Sequence, residues 1–209
     1  MDLLYNKFFT QEQKENIHNI PTAERWMEYK NCEYNVDLWH KFWTEDYKGN
    51  KDDTILDFGF GSGWGSIVAD TIGFKDIHTL DIDMEDVKRI FGEYHKILNP
   101  PNINYWNGHR MDCFESNTFD SIISKASISK NVNSSWYVVL AELVRISKPN
   151  ATWYIAPHYQ VDTLNRTGLT HTLFNKKNIK VVAWEWSGDE DVLKEKGGTA
   201  YGPIDWSKK

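Results

Sequence analysis

The chain has 209 residues, 40 % hydrophobic and 26 % charged, with a net charge of −6, which suits one globular domain and excludes a disordered or low-complexity protein. An acidic chain repels phosphate backbones, and the short basic pairs Lys176-Lys177 and Lys208-Lys209 read as a solvated turn and tail, so no nucleic-acid partner is expected. The start, Met1-Asp2-Leu3-Leu4-Tyr5-Asn6-Lys7, turns charged before a signal-peptide core forms, no run of about 18 apolar residues follows, and Cys32 and Cys113 are too few for a disulfide framework or a metal site; a cytoplasmic protein off the membrane is the expectation.

The first patterned segment is Pro21 to Trp43, which reads as helical, with Trp26, Tyr29, Val36, Trp39 and Trp43 on a stripe. Two readings stand for it: core packed on the flank of a sheet, or an aromatic lid over a ligand. From Thr54 onward short β-type runs alternate with helical patterns, as in βαβ units of a parallel, doubly wound sheet. Thr54 to Phe58 is the first strand, Gly65 to Ile72 its crossover helix, Ile77 to Asp81 the second strand and Met84 to Leu98 the second helix, stopped before Pro100-Pro101. Ile103 to Trp106 and Phe119 to Ser124 are the third and fourth strands, and Ser134 to Ile146 is an amphipathic helix with Trp136, Val139, Leu140, Leu143 and Val144 on one face. Lys148-Pro149-Asn150 turns the chain into a fifth strand, Thr152 to Ala156, and Ile179 to Trp186 is a sixth. The chain then divides into an N-terminal helical segment (1–50), a sheet core (51–186) and a Gly-containing, loop-like tail (187–209) of the same domain.

Between the first strand and its helix stands Asp57-Phe58-Gly59-Phe60-Gly61-Ser62-Gly63. Glycines at alternate positions let the backbone turn tightly and approach a ligand at the carboxyl end of the strand, where open α/β sheets bind. A dinucleotide loop wants a third glycine where Trp64 stands, and a phosphate-cradling loop wants Gly-Lys-Ser/Thr, which is missing. The run instead resembles motif I of the class I S-adenosylmethionine-dependent methyltransferases, an acid ahead of Gly-x-Gly-x-Gly. Further motifs continue the likeness in order: Asp81 at the end of the second strand, Phe119-Asp120-Ser121-Ile122-Ile123-Ser124, and Leu143-Val144-Arg145-Ile146-Ser147-Lys148-Pro149-Asn150, with Asn150 where glycine is common and tolerable at positive φ.

The resemblance implies a Rossmann-like methyltransferase domain under an N-terminal helical lid, S-adenosyl-L-methionine as cofactor, and no metal. It implies a cofactor site of Asp57, Gly59, Phe60, Gly61, Gly63, Asp81, Ile82, His109, Arg110, Met111 and Ser124. In it Asp81 takes the ribose hydroxyls and Ile82 lies against the adenine, whereas Asp83 reads as a helix N-cap. His109 stands where relatives carry an acid for the adenine amino group, which leaves that recognition to backbone groups, His109 or Asp112. Methyl transfer needs an acceptor placed in line and kept from water more than it needs a covalent catalyst. Lys125 and Ser127 after the fourth strand and His158 and Tyr159 after the fifth would face the methyl group, with His158 and Lys125 as candidate catalytic groups and Trp26, Tyr29, Trp39 and Tyr159 as acceptor contacts. Lys125-Ala126-Ser127 also stands where enzymes acting on DNA bases or glutamine amides carry Asn/Asp-Pro-Pro-Tyr/Phe, which favours a small-molecule acceptor. Non-methyl-transfer chemistry on the same cofactor, or a regulatory binding module, is the alternative.

Overall fold

The computed structural model describes residues 7–19, 32–61, 63–81, 96–107, 111–125, 127, 136–156 and 168–184. Among the described residues six strands form one parallel sheet in the order β3-β2-β1-β4-β5-β6: β1 Thr54–Phe58, β2 Asp76–Asp81, β3 Ile103–Asn107, β4 Phe119–Lys125, β5 Ser147–Ala156 and β6 Lys180–Ala183. The chain order reverses between β1 and β4, so the switch point falls at the carboxyl end of β1. Among the described residues no helix is long and apolar enough to cross a membrane.

Among the described residues five α-helices accompany the sheet: α1 Gln11–His18, α2 Cys32–Lys41, α3 Trp64–Thr71, α4 Trp136–Ile146 and α5 Gly168–Lys177. Consecutive strand residues point to opposite faces, and the core divides accordingly. Ile55, Ile123 and Tyr154 join Trp39, Phe42, Trp43 and Ile67 on the α2/α3 face, while Leu56, Ile122 and Trp153 join Leu140, Leu143 and Phe174 on the α4/α5 face. The expected strands and crossover helix match to within a few residues, and the expected turn at Lys148-Pro149-Asn150 lies inside β5. There the pairing with β4 jumps from Phe119↔Ser147 to Ser121↔Thr152, and Asn150 adopts φ +66.

Three elements differ from the sequence expectation. Helix α1 has a capping box, in which Thr10 Oγ1 accepts from Gln13 N and Gln13 Oε1 accepts from Thr10 N. α5 presents Phe174 to the core, and its Lys177 is not a solvated turn residue: Nζ donates to Arg145 O and Ser147 O, both at 2.7 Å, and to Asn117 Oδ1 at 2.8 Å. The expected helix through Trp43 continues from α2 as a π-helical turn, Phe42–Asp46, which widens the ladder while Phe42 and Trp43 stay buried. Residues 21–31, the helix expected over 84–95 and the tail 187–209 lie outside the described residues.

Candidate cofactor site

The loop after β1 is built by three glycines in left-handed backbone: Gly59 at φ +72, Gly61 at +54 and Gly63, the N-cap of α3, at +78. Side chains rarely tolerate that region. The loop is tied back to β2 twice, by Gly59 N–H to Leu80 O at 2.6 Å and by Gly61 N–H to Asp81 Oδ2 at 3.0 Å. Ser127, beyond β4, closes over the first glycine: its hydroxyl lies 3.0 Å from Gly59 O and 3.1 Å from Lys125 O, and a Cβ on Gly59 would lie 1.8 Å from Ser127 Oγ.

A small open cleft lies over this loop. It is lined by Asp57, Gly59, Phe60 and Gly61, by Lys125 at the end of β4, and by Asn35 and Trp39 of α2. Trp39 reaches that place because Gly65 lacks a side chain, since a Cβ there would stand 2.8 Å from the indole. Trp43 rests on the same residue and donates its indole N–H to Gly65 O at 2.8 Å. The stripe is therefore core at Trp43, while Trp39 is both core, at 5 % exposure, and cleft wall.

Asp57 is 3 % exposed and accepts the Ser66 hydroxyl at 2.7 Å. Burial pushes its carboxyl up to about 7; the Ser66 hydrogen bond opposes that rise, Asp81 adds to it, and Lys125 opposes it. Two carboxylates beside a glycine turn whose side-chain space is closed to a Cβ suit a ligand that carries positive charge and ribose hydroxyls and must approach the backbone closely. The residues present therefore fit S-adenosylmethionine, with Asp57 and the loop at its charged end and Asp81 at the rim.

A family model of methyltransferase domains matches residues 56–155. Residues 56–155 therefore carry a methyltransferase domain. Solved structures share the fold of this methyltransferase at low identity. A proposed sarcosine dimethylglycine methyltransferase from Galdieria sulphuraria has a TM-score of 0.51 and 15 % identity over 82 % of this chain and 75 % of that one. The YcgJ protein of Bacillus subtilis has 0.52 and 14 % over 80 % and 79 %. A proposed S-adenosylmethionine-dependent methyltransferase from Methanococcus maripaludis has 0.50 and 18 % over 90 % and 84 %. No curated protein sequence matches the methyltransferase chain.

Of the expected site residues, the structure gathers Asp57, Gly59, Phe60, Gly61, Lys125 and Trp39 around the cleft, with Gly63 and Asp81 bracing the loop. Met111 packs in the core of the α4/α5 face, and its carbonyl accepts from Arg145 Nη2 at 3.0 Å. Ser124 is fully buried within β4, and its Oγ has no hydrogen-bond partner among the described residues. Neither lines the cleft. Trp26, Tyr29, Ile82, His109, Arg110, His158 and Tyr159 lie outside the described residues. Asn35, Ser66 and Gly65 were not singled out by sequence reasoning; Gly65 is a glycine just past the loop, and Asn35 lies one turn before Trp39 on the same helix face.

Proposed function

We propose that this methyltransferase acts on a small-molecule acceptor, at an oxygen or a nitrogen, in the cytoplasm. The observation that carries this reading is the wall of the cleft, where Asn35 and Trp39 of α2 stand over the glycine loop. Net charge supports it, because −6 disfavours a polyanionic acceptor. The cofactor supplies a methyl group already activated on a sulfonium. What remains for the chain is to orient and to exclude water. Asp57, the glycine loop and Asp81 hold the cofactor, joined by Ile82, His109 and Arg110. Trp39, with Trp26, Tyr29 and Tyr159, walls the acceptor side, so that residues 1–50 act as the lid of a core spanning 51–186. His158 is the group that takes the acceptor proton where it has one to lose, and Lys125 contributes its positive charge at the cleft.

Cofactor labelled in its methyl group, incubated with pools of small amines, phenols and carboxylates, tests the reading. Label is expected in an acceptor of low mass. Release of cofactor fragments with no labelled acceptor would replace methyl transfer by lyase or aminopropyl-type chemistry, and binding without turnover would make the domain a regulatory module.

A further inference from the structure

Ser66 stands in the first turn of α3, next to the glycine on which Trp39 and Trp43 rest. It is fully buried, and its Oγ donates to Asp57 Oδ2 at 2.7 Å. Among the described residues no other hydrogen bond reaches the Asp57 side chain. A hydroxyl donates one proton, and here it holds one oxygen of the carboxylate against the helix, which leaves Oδ1 to the cleft that Asp57 lines. We infer that Ser66 is a positioning residue of the cofactor site, acting through Asp57 by fixing which carboxylate oxygen meets the positively charged end of the ligand. The inference rests on the reading that this cleft takes the cofactor.

The charges around the pair make it testable. Asp81 faces Asp57 from β2 and Lys125 from β4, whereas Asn35 of α2 and Ser66 of α3 are uncharged. Burial holds the Asp57 carboxyl near 7, and the Ser66 bond works against that rise. Removing the hydroxyl sends the carboxyl higher still. A cationic ligand binds the ionised form better, so affinity climbs with pH through the carboxyl's titration, and in Ser66→Ala that climb moves to higher pH.

The test is calorimetric titration with S-adenosylmethionine from about pH 6 to about pH 9 on wild type, Ser66→Ala, Ser66→Thr, Asp57→Asn and the double variant Ser66→Ala/Asp57→Asn. Ser66→Ala is expected to bind about tenfold more weakly or worse near pH 6.5, since a hydrogen bond to a charged group is lost. That loss shrinks toward pH 9, is restored by Ser66→Thr, and vanishes in the Asp57→Asn background because the two side chains act as a unit. Should Ser66→Ala fail to fold, Ser66→Cys keeps the volume with a much weaker donor and carries the same expectation. A loss of equal size at every pH, or of equal size with and without the Asp57 carboxylate, makes Ser66 a packing residue and overturns the inference. Absence of binding by folded wild type instead overturns the cofactor reading of the cleft.

Discussion

On one face of the sheet Trp39, Phe42 and Trp43 pack over Ile55 and Ile123, and on the other Phe114, Trp153 and Phe174 pack over Leu56 and Ile122. Both faces are dense and rich in aromatic edge contacts, Trp39 with Phe42 at 5.5 Å between ring centroids and Trp153 with Phe174 at 4.7 Å. Among the described residues the first face opens into a cleft. The difference lies in what stands between the aromatic residues and the strand ends: a loop of left-handed glycines and buried Asp57 on one face, and on the other a sealed histidine. His78 accepts the Trp106 indole N–H at Nδ1 (2.9 Å), which leaves Nε2 to donate to Asp76 at 3.0 Å, while Phe114 and Phe119 close over the ring edge-on. Aromatic content alone therefore does not mark a binding face; gaps left by missing side chains do.

The largest effect that separates the faces is expected from Trp153→Ala, which empties a fully buried site on the closed face. Denaturant unfolding should show a loss of about 3–5 kcal/mol, with cofactor affinity of the folded fraction unchanged; a parallel loss of affinity would break the division. Next comes Gly59→Ala, which places a Cβ against Ser127 in left-handed backbone. It should cost about 1–2 kcal/mol in stability and abolish cofactor binding by calorimetry. Asp81→Ala removes the carboxylate that accepts from Gly61 and is expected to weaken cofactor about tenfold to a hundredfold with little change in melting temperature.

The smallest effect is a pair of opposed pH slopes in the melting temperature of the cofactor-free protein. Asp57 titrates near 7 in the folded state against an ordinary 3.8, so the folded form holds the extra proton in between; its contribution is full below about 3.8 and is lost as pH rises toward 7. For His78 burial outweighs Asp76 and lowers the pKa from 6.5, so its contribution is full above 6.5 and is lost as pH falls. Asp57→Asn should flatten the decline on the neutral side and His78→Gln the decline on the acid side. Exchange of those two outcomes would reverse the signs assigned to the faces.

The periodic parts of this architecture were legible. β1 has the bounds its apolar run suggests, the glycine spacing locates the switch point, and Asn150 takes the positive φ that its place in the turn asked for. Thr10-x-x-Gln13 announced α1 to a reader looking for caps. Helix α5 announces itself poorly, because Gly168 to Lys177 has no sustained apolar stripe and Phe174 is the residue that anchors it in the core. The site was legible where one segment carries it, as in Asp57 to Gly63, and not where distant segments meet. That Ser66 hydrogen-bonds Asp57 follows from how α3 lies on β1, and that Gly65 makes room for Trp39 follows from how α2 lies on α3.

The polar ties at the foot of the first face have a bearing on synthesis. Tyr47 hydrogen-bonds Ser121, 74 positions later, and Lys48 N donates to the Tyr154 hydroxyl, 106 positions later. At about 5–20 residues per second on the ribosome, the second partner follows the first by roughly 5–20 s. Through that interval Phe42, Trp43 and Tyr47 lack the strands that will cover them, so the aromatic segment that ends as buried core beside the cleft is, during translation, the sticky surface that a nascent-chain chaperone would meet first.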